Sequence, residues 1–326
     1  MDNSTLIITN GDGAVAAIKN AEIEADFLPW RDFLHDGPVI LKPEIEETSK
    51  IRAEFITQFG FGNASEVQKK FTERDQKLKE TENYENIILW FEHDLYDQLQ
   101  LLQVLDWIDN SEINSNFFLI CEDQYIGESS ADLLAKNYSV KEKLNNKTIK
   151  LGSELWKTFC SNDPKEVEKI LEQDTRNLPF INAAIKRLLQ EFPDEYNGLS
   201  RSEAQILEIV EEEGKTPGEI FRTFLGMENP KYHGDWIVFS YIHKMCSSEH
   251  PLLKYSNGTK SFPAENEEKF LKETIEITPK GKEVLQGRKN NLSVNGIDKW
   301  IGGVHLNRNN VWVRKKATGK LIKLIM

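Results

Sequence analysis

Cysteine is scarce: Cys121, Cys160 and Cys246 stand far apart and are odd in number among 326 residues. They have neither the short paired spacing of a zinc site nor the density of a disulfide framework, so they read as reduced thiols and suit a cytoplasmic protein. No uncharged apolar run reaches the ~18 residues of a membrane span, so no membrane partner is expected. The N-terminal MDNSTLIITN has no basic segment and no cleavable apolar core, and no signal peptide is expected there. The G-x-G-x-x-G fingerprint of dinucleotide sites is missing, as are internal repeats and low-complexity tracts.

Basic charge is also short, and unevenly so. The chain carries a net charge of -12. Residues 1–199 hold 21 basic against 37 acidic groups, residues 200–299 hold 14 against 16, and the last 27 residues hold 6 basic groups and no acidic one. Phosphate neutralisation drives most nucleic-acid affinity, so the front of the chain is a poor partner for nucleic acid. The basic ending RKKATGKLIK is the only stretch of the right sign, and its plain reading is a solvated tail.

What is present is a regular alternation. TLIITN, ADFLPW, NIILWF and NFFLIC read as strands, and helical periodicity fills the segments between them. The stretch LYDQLQLLQVLDWI reads as strongly amphipathic, with Leu95, Leu99, Leu102 and Ile108 near one face. Strands separated by helices pair in parallel through crossovers. The expectation is an α/β fold with an open, mostly parallel, Rossmann-like sheet over residues 1–150 and helices on both faces. Residues 151–195 read as a helical connector, with Asp163 capping a helix that starts at Pro164. From 196 to 326, Ser200 with Glu203 forms a capping-box pattern, and Gly214 is read as the end of that helix. Two more helices, then PLLKY and TIEIT around a polar loop Ser256–Glu273, describe a winged-helix-like α+β domain with a basic tail.

All four strands end in polar clusters, and open parallel sheets bind ligands outside the carboxyl ends of their strands. NGDG could turn backbone N–H groups and a helix N-terminus toward an anion, making Gly11 and Gly13 candidate cofactor-binding positions. Asp12 would repel a phosphate there. The plainer reading makes Asp12 an N-cap and the glycines a tight turn. WRDFLHDGP contributes Asp32, His35 and Asp36, where His35 could act as acid, base or metal ligand, against the plainer reading of a turn. FEHDLYDQ contributes Glu92, His93, Asp94 and Asp97. Asp94 and Asp97 suit the first turn of the following helix, whereas His93 needs a partner if it is buried. The candidate catalytic set is therefore His35, His93, Asp94 and Asp12, as an acid–base or metal cluster whose metal the residues do not specify.

Farther along, YHGDW and IDKWIGGVHL form two more clusters. Gly302 and Gly303 would permit close backbone approach, and His305 could then reach a cleft as readily as serve structure. The third helix of the winged-helix-like part, GDWIVFSYIHKMC, has one Lys, no Arg and no Asn or Gln, which argues against base readout and phosphate binding.

Taken in order, ITNGDGA, WRDFLHDGPV and LWFEHDLYDQLQLLQVL resemble a bacterial family known as domain of unknown function 1835. LSRSEAQILEIV, YHGDWIVFSYI, ITPKGKEVL and WIGGVHL look like the region that accompanies that domain. The resemblance covers most of the chain up to Trp312 and implies homology. It carries no established activity and no catalytic assignment.

The leading expectation is a small-molecule-binding enzyme, a hydrolase or group transferase with a divalent metal as candidate cofactor, working at the carboxyl edge of the sheet. The alternative is a winged-helix regulatory or nucleic-acid-binding protein, or a non-catalytic interaction module. Homodimerisation stays open.

Overall fold

A computed structural model describes residues 4–60, 62–257 and 266–324. They form two compact units. The first comprises Met1–Glu54, Ala64–Ile185 and Gly302–Val304, and the second Phe55–Asn63, Lys186–Ile301 and His305–Met326.

The first unit is built on the expected sheet. Chain order is β1 (Thr5–Thr9), α1 (Asp12–Asn20), β2 (Asp26–Pro29), α2 (Ile45–Gln58), α3 (Ala64–Lys79), β3 (Asn86–Glu92), α4 (Leu95–Asp109), β4 (Asn116–Glu122), α5 (Ala131–Ser139), β5 (Glu142–Lys143), α6 (Asn146–Phe159) and α7 (Pro164–Lys169). The strands lie in the order β2-β1-β3-β4-β5. The first four run parallel, and β5 closes the edge antiparallel to β4. Both faces are covered, which is why β1 and β3 read as unbroken apolar runs. Ile7, Ile88, Trp90 and Ile120 pack with Ala14 and Ile18 of α1 and Leu134 of α5. Alternation turns Leu6, Ile8, Ile87 and Leu89 to the opposite face, and all four are fully buried.

Helix α4 departs from the amphipathic stripe expected of it. Leu95 and all of Asp97–Leu105 are buried, so polar side chains are inside as well as apolar ones. They are used: Gln98 Nε2 donates to the Glu92 carbonyl (2.6 Å), Gln100 Nε2 to the Asp32 carbonyl (2.9 Å), and Gln103 Oε1 accepts from Trp30 Nε1 (2.8 Å). Each bond offsets part of the penalty that a buried amide would otherwise carry. Helix α6 covers α4 closely, because a Cβ at Gly152 would fall 2.4 Å from Leu105 Cδ1. A larger residue at 152 must displace that leucine, and overpacking of this kind costs about 1–3 kcal/mol.

The next helices are α8 (Ile181–Leu188), α9 (Arg201–Ile209), α10 (Pro217–Gly226) and α11 (Asp235–Ser247). Then follow β6 (Leu253–Tyr255), α12 (Glu267–Leu271), β7 (Ile275–Ile277), α13 (Pro279–Leu285), α14 (Asn291–Asn295), β8 (Lys299–Ile301), β9 (Val304–Leu306), β10 (Val311–Arg314) and β11 (Leu321–Leu324). The expected order of three helices and an antiparallel β6–β7 pair is present. Asp163 caps α7, and Ser200 with Glu203 makes the capping box of α9. Helix α9 stops at Ile209, before Gly214. Gly214 answers to a different need, since a Cβ there would lie 2.8 Å from Thr274 Cγ2 and 2.9 Å from Glu276 Cγ. The polar loop Ser256–Glu273 holds the short α12, and its residues 258–265 lie outside the described residues.

The basic ending is not a solvated tail. Arg314–Lys323 spans the turn and second strand of the β10–β11 hairpin, in which Arg314 faces Leu321 and Val313 faces Ile322. Val311, Val313 and Leu321 are buried, which anchors it, and Lys315, Lys316 and Lys320 occupy the exposed turn. Among the described residues, no helix is long and apolar enough to cross a membrane.

Candidate functional site

Strand order reverses between β1 and β3: the chain steps outward from β1 to β2, then returns across β1 to β3 and β4. Ligands of open α/β sheets bind outside the strand ends at such a point. Here the two ends are Asn10, just past β1, and the β3–α4 junction from Glu92 to Asp97.

At this junction Asp94 is the N-cap of α4, its Oδ1 accepting from the Asp97 N–H (3.0 Å). One turn on, Asp97 points back. Its Oδ1 accepts from the Glu92 N–H (2.7 Å) and its Oδ2 from Asn10 Nδ2 (3.0 Å), tying α4 to the ends of both strands. Glu92 Oε1 accepts from the Ile126 N–H (2.7 Å). All three carboxylates are buried, and one oxygen from each lies within 4.8 Å of the others. Burial, reinforced by the charges of Asp94 and Glu92, pushes the Asp97 carboxyl well above the ordinary carboxylate range; the Glu92 N–H and Asn10 oppose this. The neighbouring Tyr96 phenol is likewise pushed up, by burial first and Asp97 second.

His93, half-buried, faces another way. Its ring lies 5.2 Å from Tyr125 and 5.9 Å from Phe180. Burial lowers its pKa against the pull of Asp123, so it is neutral near pH 7. Its Nδ1 is closed off from solvent and has no hydrogen-bond partner among the described residues. His35 is buried, with ring neighbours Phe33 (6.4 Å) and Tyr96 (6.2 Å), so Tyr96 connects its loop to the first turn of α4. That loop is pinned from behind. The fully buried Arg52 donates to the Asp32 carboxylate (2.9 Å) and to the carbonyls of Phe33 (3.1 Å) and Asp36 (2.8 Å). Asp32 is therefore the loop's anchor.

The four candidate residues are thus distributed. Asp94 sits in the acidic cluster, and His93 is next to it in the chain but among aromatic rings. His35 reaches α4 through Tyr96. Asp12 is apart from them: its side chain is 70% exposed, and Arg31 holds both its oxygens (2.6 and 2.9 Å). Arg31's hydrogen bond lowers the Asp12 pKa. Asp12 is also not the N-cap of α1; that is Gly11, in extended backbone, with Asp12 the first helical residue. Neither Gly11 nor Gly13 has positive φ, and a Cβ at either would meet nothing within 4 Å, so no tight turn or crowding calls for glycine there. Arg31 instead takes the left-handed conformation, at φ 59°.

Three participants, Glu92, Asp97 and Asn10, escaped the candidate set. Asp97 carries a signal, since it lies one turn past Asp94 and can face it on a helix. Asn10 carries none, because only the folded sheet brings it to Asp97. On β4, burial pushes the Cys121 thiol up to about 12, and Glu122 is occupied by Trp90 Nε1 (2.8 Å) and Asn137 Nδ2 (2.7 Å). The Cys121 thiol therefore stays protonated at neutral pH.

YHGDW and KWIGGVH have structural explanations. Arg187, lying over the Tyr232 ring (3.6 Å), donates to Glu228 (2.8 Å) and Glu191 (2.8 Å); Lys299 also reaches Glu191 (3.1 Å). His233 is buried between Tyr232 and Tyr241 (4.2 and 5.2 Å), 4.0 Å from Glu191. Close approach at the double glycine holds, since a Cβ on Gly303 would fall 2.0 Å from the Cys160 carbonyl oxygen. His305 stacks on Trp300 (4.4 Å) and bonds Asp298 (2.7 Å).

Neither protein-family models nor curated proteins give a match to this chain.

Proposed function

We propose that the protein is an enzyme acting on a small molecule, a hydrolase or group transferase, with its site at the carboxyl ends of β1 and β3. The observation that carries this reading is the packing of Glu92, Asp94 and Asp97, three buried carboxylates, at the point where strand order reverses. Like charges buried together are unfavourable unless a proton or a cation is shared among them. Glu92 and Asp94 are the residues proposed to hold a divalent cation. Asp97, with both oxygens accepting from protein donors, would fix their positions from behind. A bound cation supplies Lewis-acid polarisation of a substrate oxygen. His93, neutral and with its Nδ1 unpartnered among the described residues, is the general base of this reading, and His35 packs against Tyr96 in the first turn of α4.

The cheapest test is calorimetric titration with Mn2+ or Mg2+. One saturable site is expected in the wild type and none in the Glu92→Gln/Asp94→Asn double variant. A flat titration of the wild type at millimolar cation removes the metal-assisted reading.

Membership of the family known as domain of unknown function 1835, a cytoplasmic location and a homodimer remain proposals on the same footing. A winged-helix DNA reader is the weaker alternative. Helix α11, the third of its series, has only Asp235 and Lys244 exposed, which leaves little to enter a groove.

A further inference from the structure

The second unit contains a cleft of about 700 Å3, within the range of small-molecule pockets. Its lining joins groups that a ligand would satisfy. Gln205 is 6% exposed, and its Oε1 accepts no hydrogen bond from any described residue. Arg314, from β10, brings a buried Nε with no partner among the described residues; its nearest carboxylate, Asp194, is 3.6 Å from Nη2. Such groups cost free energy when left unsatisfied, so an unfilled acceptor and an unfilled donor in residues that line one cleft point to a ligand carrying both functions. Arg201 and Lys316 add two more cations, so the three basic groups outnumber the acidic Asp194 and Glu208.

The cleft also contains exposed apolar surface. Tyr196 is 59% exposed and Met227 38%, and both line it. The Tyr196 ring rests on Gly287, where a Cβ would fall 1.7 Å from its Cε1, and Gly287 has φ +69°. A side chain at 287 would dislodge the ring as well as strain the backbone. Exposed aromatics held in place this way are suited to stacking on a planar group.

We propose that this cleft binds a mononucleotide-type ligand, a planar ring with N–H donors joined to a phosphate. The ring would stack on Tyr196 and donate to Gln205 Oε1, and the phosphate would meet Arg314 and Lys316. This assigns a role to the basic ending and does not depend on the activity proposed for the first unit.

The test is calorimetric titration with AMP, and with inorganic phosphate and adenosine separately. One AMP site is expected, with either fragment binding at least about tenfold more weakly. Tyr196→Ala and Lys316→Gln, both at exposed positions, should each weaken AMP by about tenfold while leaving the thermal unfolding midpoint unchanged. Gln205→Leu should also weaken it, and Glu92→Gln/Asp94→Asn should have no effect. Three results would overturn the proposal: no AMP binding at millimolar concentration, phosphate binding as tightly as AMP, or AMP binding that survives Tyr196→Ala and Lys316→Gln. Loss of AMP binding in the Glu92/Asp94 variant alone would also overturn it, by placing the nucleotide in the other unit.

Discussion

Glu191 and Asp97 are both buried carboxylates, and their environments push them in opposite directions. Burial raises the Glu191 pKa, but Lys299, Arg187 and His233 together hold it well below the ordinary range. Burial raises Asp97 too, and its two nearest charges, Asp94 and Glu92, raise it further. One unit surrounds its buried acid with counter-charges and so completes it. The other gathers acids beside one another where strand order reverses. A complete network is structure; a cluster of like charges at a switch point is where the proposed cation would bind.

The largest effect should come from breaking the complete network. Arg187→Met leaves Glu191 and Glu228 buried without the guanidinium they share and should cost about 3–5 kcal/mol in a urea titration. A loss under 1 kcal/mol would erase the contrast, since ~1 kcal/mol is what an exposed pair delivers. Next in size is the cation effect. At a hundredfold excess over its dissociation constant, Mg2+ or Mn2+ should add about 2.7 kcal/mol to wild-type stability. It should add nothing to Glu92→Gln/Asp94→Asn.

The pH dependence sharpens the comparison, because the two acids have opposite signs. Glu191 has a depressed folded pKa, so its contribution is present above the ordinary 4.5 and lost as pH falls through the folded value. Asp97 has a raised folded pKa, so its contribution is complete below the ordinary 3.8 and lost as pH rises through the folded value. Asp94→Asn keeps the cap and removes one like charge. It should therefore stabilise the protein by up to about 1 kcal/mol at about pH 8, and by less at about pH 5. An equal effect at both would contradict the repulsion invoked here. The smallest effect belongs to the exposed Asp12–Arg31 pair: Asp12→Asn should move stability by less than about 1 kcal/mol.

The sheet was legible because strands buried on both faces are written as apolar runs, from Leu6–Ile8 to Ile87–Phe91. The caps at Asp163 and Ser200 were legible because capping is local chemistry. Helix α4 misled, because Gln98, Gln100 and Gln103 look like a solvent face and are instead buried bonding partners. The hairpin misled for the opposite reason: Val311, Val313 and Leu321 are few, and the lysines of its turn dominate the composition. At the site, Glu92, Asp94 and Asp97 could be seen as neighbours in sequence. The approach of Asn10, 87 residues from Asp97, and the Arg52–Asp32 anchor depend on tertiary contact and leave no local trace. The double glycine lies between these cases, since its pattern announced a close approach without saying to what.

The most direct measurement is the titration of the Asp97 side-chain carboxyl by 13C NMR, with and without saturating Mg2+. Without the cation the midpoint should lie well above the ordinary 3.8, and with it the midpoint should fall. A midpoint at or below 3.8 in the cation-free protein would contradict the account, because the three carboxylates would then be compensated from within as Glu191 is.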